Sequence, residues 1–173
     1  MQNEILPSLN HATVRVLRRQ GCEVFVPPTF GCCGALHAHA GDRGFARRLA
    51  LANLTALEHV AADAVVSNAS GCGAMLKDYA ALFDHDPETA ARAAAFSARV
   101  RDITEFLAQL ELRPELLGPL PLVAAYQDAC HLAHAQRIRQ APRTLLAAIP
   151  GLELRELERA AQDTTQMRAE LGS

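Results

Sequence analysis

Two adjacent cysteines flanked by glycines constrain this chain more than any other feature. Gly31-Cys32-Cys33-Gly34 follows an apolar run at residues 22–26 and two prolines, and it precedes a long amphipathic segment. Neighbouring cysteines rarely bridge each other because the ring would be strained. Glycines let a bulky group approach the backbone closely. Two interpretations stay open at this point: two thiolates facing an inorganic centre, or two small buried residues in a tight turn.

The composition bears on the cellular compartment of the protein and on the kinds of molecule it binds. The chain has 173 residues, enough for one domain or one domain plus part of another, and a formal net charge of −2, which gives no strong attraction to nucleic acid. No apolar run is long enough to cross a bilayer, and the N-terminus does not resemble a signal sequence. Five cysteines, an odd number, argue against a disulfide framework. We therefore expect a cytoplasmic protein with reduced thiols, a context that favours metal binding.

Apolar runs that alternate with amphipathic segments predict an α/β fold. The expected architecture is a mostly parallel sheet covered by helices, three-layered and Rossmann-like. Helices are predicted near residues 8–20, 42–60, from 74 onward, 88–107 and 142–149, and strands near residues 22–26, 64–68, 122–126 and 153–157.

Four of the five cysteines follow these predicted strands. They are Cys32, Cys33, Cys72 and Cys130. Sites in parallel sheets gather where the carboxyl ends of strands meet helix N-termini, so we expect the first three sulfurs to lie close together at one edge. Helix N-termini and glycine N–H groups also lower thiol pKa values and favour the thiolate. Cys22 lies inside a predicted strand and is interpreted as a buried core thiol.

Histidines supply weaker candidates. His37 and His39 are two residues apart and cannot share a helix face, so we interpret them as exposed, although hydrogen bonding to a cluster sulfur is open to them. His131 and His134 could face one site, or could cap a helix or face solvent. The sequence contains no Ser-His-Asp arrangement, phosphate loop or nucleotide fingerprint, and we assign no catalytic residue.

Three longer runs resemble one known family. They are GCEVFVPPTFGCCGALHAHAGD, NASGCGAMLKDY and YQDACHLAHAQRIRQAPRTLLAAIPGLEL. They resemble the iron–sulfur subunit of bacterial glycolate oxidase and, more broadly, the cysteine-rich CCG domains of lactate-utilisation proteins, anaerobic glycerol-3-phosphate dehydrogenase and heterodisulfide reductase. The resemblance covers about residues 2–157. It implies a 4Fe-4S cluster with Cys32, Cys33, Cys72 and Cys130 as candidate ligands.

The chain departs from that family's pattern in four respects. It has no C-x2-C-x2-C-x3-C-P run, and the lone cysteine of the first module would precede Met1. Ala69 stands where the final CxxC has its first cysteine, and no CC pair follows Cys130. The resemblance thus implies a truncated arrangement. Residues 1–112 would form a first CCG module lacking its first cysteine, and residues 113–173 the front half of a second module with a divergent tail.

The implied function is electron transfer. The chain would be a non-catalytic, iron–sulfur subunit that accepts electrons from a flavin-containing partner in a hetero-oligomeric oxidase of glycolate or a related 2-hydroxy acid. Peripheral membrane association through those partners is left open. A zinc- or thiol-binding structural module without redox activity and a cofactor-free fragment are the alternatives. With one ligand short, the chain is expected to hold a cluster weakly or not at all, and Cys130 is the candidate for the vacancy.

Overall fold

The computed structural model describes residues 6–110 and 112–156. Helices dominate these residues, as the alanine- and leucine-rich composition favours. Asp42 and Asp86 accept hydrogen bonds from backbone N–H groups at the starts of two helices, and Pro87 occupies a first helical position. The helices are α1 (Pro7–Arg19), α2 (Ala35–His39), α3 (Arg43–Leu57), α4 (Ser70–Lys77), α5 (Pro87–Ser97), α6 (Ile103–Gln109) and α7 (Gln140–Ala147).

Short helices of other types complete the helical content. Tyr79–Leu82 and Pro114–Leu116 form single 3-10 turns, and His131–Ala135 is π-helical. A π-turn inside a protein often accompanies a functional region. This one follows directly after Cys130.

Four strands form two separate parallel pairs among the described residues. β1 (Val65–Ser67) pairs with β2 (Val100–Asp102), and β3 (Leu122–Tyr126) pairs with β4 (Leu152–Glu156). The register places Val65 opposite Val100 in the first pair. Helices connect the strands of each pair, as parallel pairing requires. Three predicted strands are thus confirmed within a residue or so, together with the α/β character of the chain.

The strand predicted at residues 22–26 is wrong. The segment is irregular, and the side chains of Phe25 and Val26 are 61% and 69% exposed. Pro27 and Pro28 follow it and cannot donate to a strand ladder. Cys22 is accordingly only half-buried, and its N–H donates to the carbonyl of Leu17. The cysteine pair therefore follows an irregular segment and not a strand.

The continuous helix predicted over residues 88–107 is interrupted by β2. Val100 is fully buried opposite Val65. Asp102 then begins α6 with a capping box: its carboxylate accepts from Thr104 N–H at 2.9 Å, and Glu105 accepts from the N–H of Asp102 at 3.2 Å. The sequence carries that Asp-x-x-Glu signal, although the alanine-rich run hides it.

One hydrophobic core lies between α3, α4, α5 and the 3-10 turn at residues 79–82. Tyr79 is fully buried and stacks on Phe96 with ring centroids 5.6 Å apart. Cys33 is also a member of this core. The loop that bears the cysteine pair therefore packs directly on the most buried part of the fold.

The proline-rich segment at residues 112–121, where the sequence predicts the division between the two modules, contains one regular element among its described residues, the 3-10 turn at Pro114–Leu116. The division into residues 1–112 and 113–173 stays a prediction. No helix in the part of the chain that the structure describes is long and apolar enough to span a membrane.

Phenylalanine truncation tests this core. Phe96→Ala should lower the free energy of unfolding by about 3–5 kcal/mol, because it empties a packed position beneath Tyr79. Phe25→Ala is the matched control and should cost less than about 0.5 kcal/mol, since that ring is largely in solvent. Urea unfolding followed by far-UV circular dichroism measures both. Equal losses would contradict the core described above.

Candidate metal centre

The cysteine-pair loop, residues 31–34, turns sharply into α2. Gly34 has φ +82°, a left-handed conformation, and a methyl group there would lie 3.3 Å from the backbone of Ala46. Both constraints require glycine at this position. Cys33 is 6% exposed, whereas Cys32 is exposed and its sulfur accepts a hydrogen bond of 3.5 Å from the N–H of Gly34. The two neighbouring thiols thus lie in different environments.

Two buried side chains hold the backbone of this loop. The Asn53 Oδ1 atom accepts from the N–H of Gly31 at 2.8 Å, and Asn53 Nδ2 donates to the carbonyl of Cys32 at 3.0 Å. The same Nδ2 donates to the Tyr79 hydroxyl at 2.9 Å, and that hydroxyl donates to the carbonyl of Cys33 at 3.0 Å. Asn53 belongs to α3 and Tyr79 to the 3-10 turn after α4. Three consecutive residues of the loop are therefore bound through their main chain.

Cys72 lies in the first turn of α4, which follows the carboxyl end of β1. The helix begins at Ser70, earlier than the sequence predicts, so Cys72 is inside the helix and not before it. Gly73 beside it is buried, and a methyl group there would lie 2.9 Å from Gln136 Nε2. Unpaired N–H groups of a first helical turn favour negative charge nearby. The position therefore suits a thiolate.

Cys33 and Cys72 lie close enough to act on each other's pKa. Their thiols share a hydrogen bond that lowers the pKa of Cys72 to about 7 and raises that of Cys33, with burial raising both. The negative charge of Cys32 is close enough to raise the pKa of Cys72 in turn. Cys72 is therefore the thiol of this pair that loses its proton first as the pH rises. Cys33 lies in the hydrophobic core and Cys72 packs against that core just after the carboxyl end of β1. The assignment of Cys32, Cys33 and Cys72 to one centre stays a prediction.

Tyr79 lies in the electrostatic field of the same three sulfurs. Burial raises the pKa of its hydroxyl, the hydrogen bond from Asn53 lowers it, and the charges of Cys33, Cys32 and Cys72 raise it further. The phenol consequently stays protonated and keeps donating its hydrogen bond to the loop.

Cys130 is exposed and directly precedes the π-helical turn. Its segment contacts α4, because Gln136 Nε2 donates to the carbonyl of Ser70 at 2.9 Å. The role of Cys130 as a ligand stays a prediction.

The histidines divide between the two halves of the chain. His37 stacks on Phe45 with centroids 4.3 Å apart. The rings of His39 and His131 meet edge to face at 5.9 Å, which brings the helix after the cysteine pair next to the Cys130 segment. The Nδ1 atom of His134 lies 3.5 Å from the Nη2 atom of Arg139. Within the described ranges, no three His, Cys, Asp or Glu side chains are arranged as ligands around a single metal ion.

Sequence reasoning missed Asn53, Tyr79 and Gln136. Asn53 stands on the buried stripe of α3 beside Leu54 and Leu57, so one polar residue on an otherwise apolar face was the available signal. Tyr79 and Gln136 carried no such signal. Gln136 Oε1 is buried without a hydrogen-bond partner, an uncommon state for a polar atom.

Comparison of the sequence with those of known proteins finds relatives that align with about nine tenths of this chain. The chain is 41% identical over 161 residues to a probable glycolate oxidase iron–sulfur subunit of Bacillus subtilis, an alignment that covers 92% of this chain and 36% of that protein. It is 35% identical to lactate utilization protein A of Geobacillus thermodenitrificans, over 90% of this chain and 64% of the relative. One of the subunits of the fumarate reductase (CoM/CoB) of Methanothermobacter marburgensis is 34% identical, over 91% of this chain and 29% of the relative.

The chain therefore spans about a third to just under two thirds of the length of these curated relatives. No solved structure matches it. The family model for the CCG cysteine-rich domain matches residues 1–77 and 124–165, which include Cys32, Cys33, Cys72 and Cys130. The chain belongs to the family of CCG cysteine-rich domains, related to the iron–sulfur subunit of glycolate oxidase.

Proposed function

We propose that this chain transfers electrons through an iron–sulfur cluster held at the cysteine-pair loop. The observation that carries the proposal is that Cys33 and Cys72 act on each other's pKa, and that Cys32 is close enough to raise the pKa of Cys72, which lies in the first turn of α4. Thiolates are the ligands that hold such clusters in proteins. The names of the relatives support the same chemistry, since the Bacillus subtilis relative is described as an iron–sulfur subunit.

The cysteine thiols are the type of ligand that a four-iron cluster requires, but the first site has one cysteine too few. A four-iron cluster normally takes four thiolates, and Cys32, Cys33 and Cys72 would supply three of them. We propose Cys130 as the fourth, because its segment is already docked on α4 through Gln136. When bound, the cluster would supply one-electron oxidation and reduction.

The residues of the chain have separate tasks in this proposal. Cys72 offers a thiolate near neutral pH, because the hydrogen bond from Cys33 lowers its pKa to about 7. Cys33 would lose its proton when iron replaces that hydrogen bond. Burial of Cys33 keeps water from one side of the site, while the exposed Cys32 leaves another side open to a redox partner.

We further propose a place in a larger complex. The chain would be a non-catalytic subunit that accepts electrons from a flavin-containing partner oxidising glycolate or a related 2-hydroxy acid. The sequence contains no nucleotide fingerprint, in agreement with such a division of labour. In the whole protein we expect the parallel pairs to belong to a three-layer, Rossmann-like sheet, because both have the parallel register of that class.

Metal loading of cysteine variants tests the cluster. After anaerobic reconstitution with iron and sulfide, Cys32→Ala, Cys33→Ala and Cys72→Ala should each lower retained iron about tenfold or more, since each removes a ligand. Cys22→Ala is the matched control and should retain the iron of the unaltered chain, because Cys22 lies outside the Gly31–Gly34 loop and is not proposed as a ligand.

Iron and sulfide analysis with visible absorption separates the alternatives. Zinc bound in preference to iron, with no visible absorption, would support a structural zinc site. Equal iron in all four variants would contradict the ligand assignment.

The proposed fourth ligand has its own test. Cys130→Ala should increase the rate at which a chelator removes iron from the reconstituted chain, because an open iron position admits water. The rate is followed by visible absorption, with Cys22→Ala again as the reference. If both variants lose iron at the same rate, Cys130 is not a ligand of this site.

Alkylation measures the pKa of Cys72 in the metal-free chain. The tryptic peptide of residues 49–77 contains Cys72 as its single cysteine, so mass spectrometry isolates its reaction with iodoacetamide. The rate should rise with pH and level off above an inflection near 7, because the thiolate is the nucleophile. Cys33→Ala removes the hydrogen-bond donor and should move the inflection upward. An inflection unchanged by that substitution would contradict the shared hydrogen bond.

A further inference from the structure

Asn53 and Tyr79 bind the main chain of the cysteine-pair loop and not its sulfurs. Both side chains are fully buried. Their contacts cover the N–H of Gly31 and the carbonyls of Cys32 and Cys33, at 2.8, 3.0 and 3.0 Å. Loops usually satisfy such groups with water. Here protein groups replace the water on three successive residues.

The two side chains also satisfy each other. Asn53 uses its oxygen for Gly31 and its Nδ2 group for Cys32 and for the hydroxyl of Tyr79. The hydroxyl accepts that bond and donates its own hydrogen to Cys33. A buried carboxamide is costly unless it is hydrogen-bonded, and in this network both ends of the carboxamide are. The partners of the Asn53 carboxamide are the loop itself and Tyr79, which also binds the loop.

The network ties the loop to two separate parts of the core. Asn53 is fixed in α3, next to the buried Leu54. Tyr79 is fixed by stacking on Phe96 of α5 at 5.6 Å. A loop held from two elements has little freedom to shift its thiols relative to Cys72, whose helix contacts the same core.

We propose that Asn53 and Tyr79 are positioning residues that fix the Cys32 and Cys33 thiols relative to Cys72. The inference rests on the proposed function in one respect: the group for which the thiols are positioned is the iron–sulfur cluster. Ligands on a loop that is already ordered bind a metal more tightly, because no binding free energy is lost in ordering the loop. Loss of either side chain should therefore weaken metal retention while the fold remains.

Three substitutions test this proposal in the full chain. Tyr79→Phe removes one hydroxyl and keeps the stacked ring, and Asn53→Leu removes the carboxamide. Tyr126→Phe is the matched control, the same chemical change at the end of β3. Asn53→Asp, which keeps the acceptor for Gly31 but loses both N–H donors, replaces Asn53→Leu if that variant does not fold.

Two readouts need no metal. Amide hydrogen exchange by NMR reports the N–H of Gly31, and iodoacetamide labelling of the tryptic peptide 20–43, read by tandem mass spectrometry, reports Cys33. Asn53→Leu should speed exchange at Gly31 about tenfold, and Tyr79→Phe should speed labelling of Cys33 by a similar factor, the equivalent of about 1.4 kcal/mol or one hydrogen bond. Tyr126→Phe should match the unaltered chain in both.

The third readout uses the reconstituted chain. Tyr79→Phe and Asn53→Leu should each raise the rate of iron loss to a chelator about tenfold and alter the electron paramagnetic resonance spectrum of the reduced protein, whereas Tyr126→Phe should change neither. Unchanged exchange at Gly31 and unchanged labelling of Cys33 would overturn the positioning proposal. So would faster exchange and labelling accompanied by unaltered iron retention.

The proposed function can fail separately from this inference. If the unaltered chain takes up no iron, the cluster assignment fails. The exchange and labelling results then still decide whether Asn53 and Tyr79 hold the loop.

Discussion

The hydrogen-bond network of Asn53 and Tyr79 is the interaction on which the site depends. It joins α3, the 3-10 turn at residues 79–82 and the cysteine-pair loop through side chains that are inaccessible to solvent. In such surroundings each bond is stronger than in water, and each loss is more costly. The loop has no strand on its N-terminal side to hold it, since residues 22–26 are irregular. Side chains from the core therefore hold the loop as a sheet edge does in other α/β proteins.

The thiols themselves cannot hold the loop in place. Cys33 and Cys72 share one hydrogen bond, which persists as long as one proton remains between them. Negative charge at Cys32 adds repulsion, because it raises the pKa of Cys72. Bound iron would replace the proton with positive charge and turn repulsion into attraction. In the metal-free chain, the hydrogen bonds between the loop backbone and the core must hold the sulfurs in place against the repulsion between their negative charges.

The second half of the chain is docked on the first at the same place. Gln136 lies against Gly73 and donates to the carbonyl of Ser70, and the rings of His39 and His131 meet. A methyl group at Gly73 would lie 2.9 Å from Gln136 Nε2, so Gln136 would have to shift to admit it. The glycine next to Cys72 thus leaves room for this contact between the two halves. The same contact brings the Cys130 segment near the first site, which is why Cys130 remains the candidate for a fourth ligand.

The sequence by itself determined three of the strands and the membership of the CCG family, because hydrophobic periodicity and a Gly-Cys-Cys-Gly run are local patterns. It could not show that residues 22–26 find no partner strand, that β2 interrupts an alanine-rich helix, or that the strands form two pairs. Pairing depends on residues far apart in the chain, such as Val65 with Val100. Only the tertiary structure placed Asn53 and Tyr79 under the cysteine pair, because a hydrogen bond across more than twenty residues leaves no local signature.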